Sequence, residues 1–122
     1  MADKLLIVMV NTDTSNPSEI AAPFSQATVA AAMEYEVEVI LSGRAGELAI
    51  KGVAEGIALM KDDPRTIYDM IKDAHEAGVK FKVCAPSVER WGENLIPEVE
   101  EIVGSAYLIS EAMDDDTVTF TY

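Results

Sequence analysis

Cysteine, histidine and tryptophan each occur once in the 122 residues. Cys84 therefore closes no disulfide within the chain and supports no thioredoxin-like dithiol cycle. With His75 as the only imidazole, the chain also has too few ligands for a Cys- or His-built metal site, and no metal or cofactor is expected. Long apolar stretches are missing too. Residues 5–10, Leu-Leu-Ile-Val-Met-Val, fall far short of the ~20 residues of a membrane span, and the Met-Ala-Asp-Lys before them is too short for a signal peptide, so a cytoplasmic location is expected. Basic residues are scarce, with 9 Lys and Arg against 22 Asp and Glu and a net charge of −13. Such a charge repels phosphate backbones, which excludes nucleic acid and anionic membranes as partners.

What is present suits a compact globular chain. The hydrophobic share is 49% and the charged share 25%, and the length fits one domain over residues 1–122. The unbroken apolar run at 5–10 predicts a central strand buried on both faces of a parallel sheet. Asn16, Pro17 and Glu19 read as N-cap, first-turn proline and N3 acid of a helix. Pro23 is expected to kink or restart that helix before the Ala-rich stretch 24–33. Residues 35–42 predict a second strand, 45–51 a short helix, and 52–63 gives no assignment. A helix is predicted from Asp63-Pro64 through Ala77, with Ile67, Met70, Ile71 and Ala74 on one face and Gly78 as its stop. Residues 79–84 alternate as a third strand, with Lys80, Lys82 and Cys84 on one side and Val79, Phe81 and Val83 on the other. A turn and short helix near 88–91, a helical segment from Pro97 through Val103, a helix over 105–113, an acidic turn at 114–116 and a closing strand at 118–122 complete the chain. Strands alternating with helices in this way predict a single three-layer α/β/α domain with a mostly parallel sheet of about five strands.

In such sheets, ligands and chemistry gather at the carboxyl ends of the strands. Those ends carry Asn11-Thr12-Asp13, Ser42-Gly43 and Cys84. Cys84 is the nucleophile candidate, because the N–H groups of a following helical turn favour a thiolate. A strand cysteine also serves as a small buried hydrophobe, and the two roles differ in accessibility. Asn11, Thr12, Ser42, Gly43, Ala85, Ser87 and Trp91 are the expected pocket-lining or thiolate-stabilising residues. Arg44 places a positive charge near that edge, and His75 complements a helix end. The acids Glu98, Glu100, Glu101 and 114–116 are expected to form a solvated surface.

The chain resembles the small DsrE/DsrF-like sulfur-relay proteins nearly end to end. The resemblance rests on the apolar first strand and its polar loop, Ala22-Pro23-Phe24 leading an Ala-rich helix, and Glu36-Val37 opening the second strand. Ala77-Gly78-Val79-Lys80 before a strand ending Val83-Cys84, the stretch from Glu101 to Ala106, and the terminal strand extend it. It implies an α/β/α fold, trimers or hexamers, and a strand-end cysteine that accepts and donates persulfide sulfur, a position that Cys84 occupies. Where some relatives have Cys-x-x-Cys, this chain reads Cys84-Ala85-Pro86-Ser87, which suits a single-thiol carrier rather than a dithiol. The expected partners are donor and acceptor proteins with reactive cysteines. The alternative is a non-catalytic ligand-binding, assembly or regulatory subunit of a sulfur-metabolising complex, in which Cys84 is inert.

Overall fold

The structure is a computed structural model that describes residues 2–122. The strands are β1 (Lys4–Met9), β2 (Glu36–Leu41), β3 (Lys80–Cys84), β4 (Val99–Val103) and β5 (Thr117–Thr121). Between them lie helices α1 (Pro17–Ala32), α2 (Ile67–Glu76), α3 (Ala85–Trp91) and α4 (Ser105–Ala112), with 3-10 turns at Gly43–Ala49 and Ala54–Gly56. The sheet order is β4-β3-β2-β1-β5, and every pairing is parallel.

Period-two alternation divides each strand between two unequal layers. Ile7, Met9, Val37, Val39, Leu41, Phe81 and Val83 face α1 and α2 in the larger core, where Phe24 and Phe81 meet edge to face at 5.8 Å. Leu6, Val8, Ile40, Cys84 and Val103 face the other way, where Tyr107, Leu108 and Ala112 of α4 pack on them. The three-layer expectation holds, with one layer reduced to a single two-turn helix. Leu6, Ile7, Val8 and Met9 are buried on both faces as the apolar run predicted. The middle position nevertheless belongs to β2, because β5 supplies only one strand beyond β1.

Local chemistry sets the helix ends. The Asn16 side chain accepts from the Ser18 N–H at 3.3 Å and donates to Glu19 at 2.8 Å, which fixes the start of α1. Pro23 sits inside α1 without ending it; the lost N–H costs one intrahelical bond, and tertiary packing of the buried ring offsets that loss. The second long helix starts later than expected. Thr66, not Asp63, is its N-cap, and Thr66 and Asp69 form a reciprocal capping box. Gly78, with φ of +108°, ends that helix as predicted.

The helical reading of residues 97–103 is overturned. Val99–Val103 is the edge strand β4. Glu100, Glu101 and Ile102 are exposed there and Val103 is buried, so the segment lacks the one-sided burial of a central strand and carried little periodic signal. The open region 52–63 holds the second 3-10 turn and a single bridge between Ala58 and Thr66. No described helix is long and apolar enough to cross a membrane.

Phe81 is fully buried at the centre of the larger core. Phe81→Ala is expected to lower stability by about 3–5 kcal/mol, read from the denaturant midpoint at an unchanged m-value.

Candidate functional site

Because all five strands run parallel, their carboxyl ends share one edge of the sheet. Leu41 aligns with both Met9 and Val83. Cys84 therefore lies one row beyond this line, level with Val10 and Ser42.

The loop after β2 folds tightly onto the end of β1. Ser42 N–H donates to the Met9 carbonyl at 2.9 Å and Arg44 N–H to the Val10 carbonyl at 3.0 Å. Gly43 sits there at φ +49°, and a Cβ on it would meet the Val10 carbonyl oxygen at 2.5 Å. No larger residue fits the turn. The 3-10 turn that follows is a seat for α3. A Cβ on Gly46 would fall 2.3 Å from Ser87 Oγ, and the Trp91 indole N–H donates to the Gly43 carbonyl at 3.2 Å. Ser42, Gly43, Ser87 and Trp91 thus form one cluster, with Ser87 buried and Trp91 half-buried.

Cys84 is both the last residue of β3 and the N-cap of α3, in extended backbone, with Ala85 the first helical residue. Its side chain points away from the larger core. It is 7% exposed, in a cluster with Leu6, Val8, Ile40 and Val103 against which Tyr107, Leu108 and Ala112 of α4 pack.

Asn11 and Thr12 lie elsewhere on the same edge. They line a cleft of about 400 Å³ with Ser18, Glu19, Ala22 and Tyr122, between α1 and the end of β5. At ~4.8 Å per strand, β1 stands about 10 Å from β3. Thr12 is 3% exposed, and its hydroxyl has no partner among the described residues. Arg44 reaches back to Asp13 at 3.3 Å in an exposed ion pair, and the hydroxyl and N–H of Ser15 hold the Asp13 carboxyl below its ordinary value. His75 is exposed in the last turn of α2.

One group of residues escaped sequence reasoning. Glu38, in the middle strand, is 2% exposed. Lys4 reaches it at 3.0 Å and Lys82 at 3.3 Å, and the Tyr107 hydroxyl donates to it at 2.6 Å. Lys82 also donates to the Tyr107 oxygen at 2.5 Å and pairs with Glu101 at 3.2 Å, while Lys4 pairs with Glu111 at 3.0 Å. Tyr107 and Glu111 are the polar hold of α4 on the sheet. The acids flanking Val37 and the strand lysines were visible, but only the register aligns Glu38 with Lys80, two pairs away from Lys82 on the same face. Glu101 and Glu98 are likewise engaged rather than merely solvated, Glu98 accepting from the Tyr68 hydroxyl at 2.9 Å.

The network shifts its own titrations. Burial pulls the Lys82 ammonium down, but its bonds to Tyr107, Glu101 and Glu38 outweigh burial and hold it above its ordinary value. Lys4 rises for the same reason through Glu38 and Glu111. Burial and the Glu38 bond push the Tyr107 phenol up to about 12, and the Lys4 bond holds Glu111 below its ordinary value. Groups raised on folding stabilise fully below their unfolded values, and that contribution fades as pH climbs toward the folded ones. Glu111 has the opposite sign and loses its contribution as pH falls below 4.5, its unfolded value. Unfolding midpoints measured against pH should be flat through neutrality and fall above about pH 10, where unfolded tyrosine and lysine deprotonate. Tyr107→Phe should flatten that alkaline fall.

A family model described as DsrE/DsrF-like family matches residues 4–120, nearly the whole chain. No curated protein matches the chain.

Proposed function

The chain belongs to the DsrE/DsrF-like family, and from that premise we propose that it is a sulfur carrier of a cytoplasmic sulfur relay, working through Cys84. The observation that supports this most is the placement of the only thiol in the chain at a parallel strand's carboxyl end, where it caps α3. In this reading the Cys84 thiolate attacks the outer sulfur of a donor protein's persulfide. A new S–S bond forms on Cys84 as the donor's own S–S bond breaks, and the donor leaves as a thiolate. An acceptor thiolate then attacks the outer sulfur on Cys84, takes it, and releases the Cys84 thiolate. Neither step consumes an oxidant or a reductant.

Ser87 and Trp91 hold the first turn of α3 on the Gly43–Ala49 segment. Ser42, Gly43 and Ala85 shape the strand ends around it, and the Asn11–Thr12 cleft receives a neighbouring part of a partner. The partners are donor and acceptor proteins with reactive cysteines, and the carrier works as a trimer or hexamer. Residues of α4 pack against the cluster that holds the thiol, so in this reading transfer requires α4 to swing off the sheet, and the bonds of Tyr107 and Glu111 set how often it does so.

Burial of Cys84 favours a second reading, a non-catalytic binding or regulatory subunit in which the thiol only packs. Intact mass after incubation with a sulfane-sulfur donor separates the two. The carrier gains a reductant-labile ~32 Da, one sulfur atom, and Cys84→Ser gains none while folding normally. Equal gain on the Ser variant, or none on either protein, removes the carrier reading.

Access is tested by thiol labelling under native conditions. Tyr107→Phe removes a bond to a charged group worth about 1.5 kcal/mol, so Cys84 should react roughly tenfold faster than in the wild type. An unchanged rate would mean that α4 does not gate the thiol.

A further inference from the structure

The two edges of the sheet are built differently. The β4 edge is blunted, since it carries Glu100 and Glu101 and its pairing with β3 shifts register at Phe81/Lys82. Charge and irregularity of this kind are how proteins keep an edge from pairing with another chain. The β5 edge has neither device. Its sequence, Thr-Val-Thr-Phe-Thr, is uncharged and favours strand, in a chain of net charge −13.

The pairing with β1 tells which backbone groups of β5 are spent. Lys4 N–H donates to the Asp116 carbonyl, Tyr122 N–H to Val8, and Val10 N–H to Tyr122. The even-numbered residues therefore face β1, and the N–H and C=O groups of Thr119 and Thr121 and the carbonyl of Thr117 point outward. The Thr117 N–H is already used on Asp114. Beside this edge, on the α1 face, lies a groove of about 540 Å³ lined by Leu5, Val29, Met33, Tyr35, Val118 and Phe120. Val29 and Met33 are 56% and 62% exposed, and Phe120 is 43% exposed.

We infer that the β5 edge is the contact surface for a second copy of this chain, joined as an antiparallel β5–β5 pair about a two-fold axis at Thr119. In that register the two Thr119 residues exchange both backbone bonds, and each Thr121 N–H donates to the partner copy's Thr117 carbonyl. Val118 of each copy lies opposite Phe120 of the other, so two half-open apolar grooves merge into one. Charge selects the direction. Asp114, Asp115 and Asp116 immediately precede β5. Antiparallel pairing puts the two acidic runs at opposite ends of the contact, about 20 Å apart at 3.3 Å per residue and beyond a Debye length, whereas parallel pairing sets them side by side. Identical copies fit because the contact is self-complementary in bonds and side chains and keeps the like-charged runs apart. The product is a continuous ten-stranded sheet, and a two-fold contact requires an even number of subunits.

The test is sedimentation of the full chain at micromolar concentration, and its outcome is independent of thiol chemistry. The wild type should have an even multiple of the 13.2 kDa chain mass. Val118→Lys with Phe120→Lys puts charge on already exposed positions, so circular dichroism should match the wild type while the contact weakens at least ~100-fold. In a Cys84→Ser background, Thr119→Cys should oxidise to a covalent dimer, because hydrogen-bonded antiparallel partners have Cα atoms ~5.5 Å apart, within disulfide reach. A wild-type monomer, a trimer, or a double-lysine variant that assembles like the wild type would overturn the inference. So would a Thr119→Cys variant that stays uncrosslinked. A monomer that pairs only when an extended segment of another protein is supplied would assign the edge to that protein instead. Sulfur loading by a protein that proves monomeric would sink the contact and leave the carrier standing.

Discussion

A carboxylate in the middle strand of a sheet has to be neutralised where it sits, and the buried Glu38 imposes that requirement on the whole α4 face. Two ammonium groups and a phenol converge on it from β1, β3 and α4. Removing one partner from such a set leaves a buried charge uncompensated, so the members hold one another in place. The consequence for the architecture is the position of α4. Few apolar side chains press this helix onto the sheet and none of its residues is fully buried, so Tyr107 and Glu111 orient it through the strand lysines. The helix in turn packs against the cluster that holds the chain's only thiol.

The opposite face is held differently. Phe24, Phe81 and the aliphatic residues around them make a dense core between the sheet and α1 and α2, where apolar burial dominates and no charge is needed. A firmly packed face and a lightly covered one fit a protein in which one side is scaffold and the other works. The strand ends between them are shaped by close backbone approach. Gly43 and Gly46 let the loop after β2 and the start of α3 come within distances that a side chain would forbid, and this closeness fixes the turn that follows Cys84.

Much of this fold could be read in advance because its signals are local. The apolar run at 5–10, the Asn16-Pro17 start, the Gly78 stop and the alternation of 79–84 each follow from a few neighbouring residues. The errors fell where tertiary context overrides such signals. Residues 97–103 became an edge strand because the unpaired edge of β3 offered a ladder, while Pro97 with its following acids read as a helix start. Pro23 failed to break α1 because packing on both sides sustains the helix through one lost bond.

The sequence by itself determined which chemistry is available: one thiol, one imidazole, an acidic surface, and a strand-end position for Cys84 on the side of Lys80 and Lys82. Periodicity along a strand is a covalent property, so that sidedness needed no tertiary information. Only the folded chain decided what the sidedness means. Which strands are neighbours, and in what register, brings Lys4 and Lys82 to Glu38, packs α4 against the cluster that holds the thiol, and places the Asn11–Thr12 cleft two strands away. These relations join residues up to 107 positions apart, and no pattern within a short window encodes them.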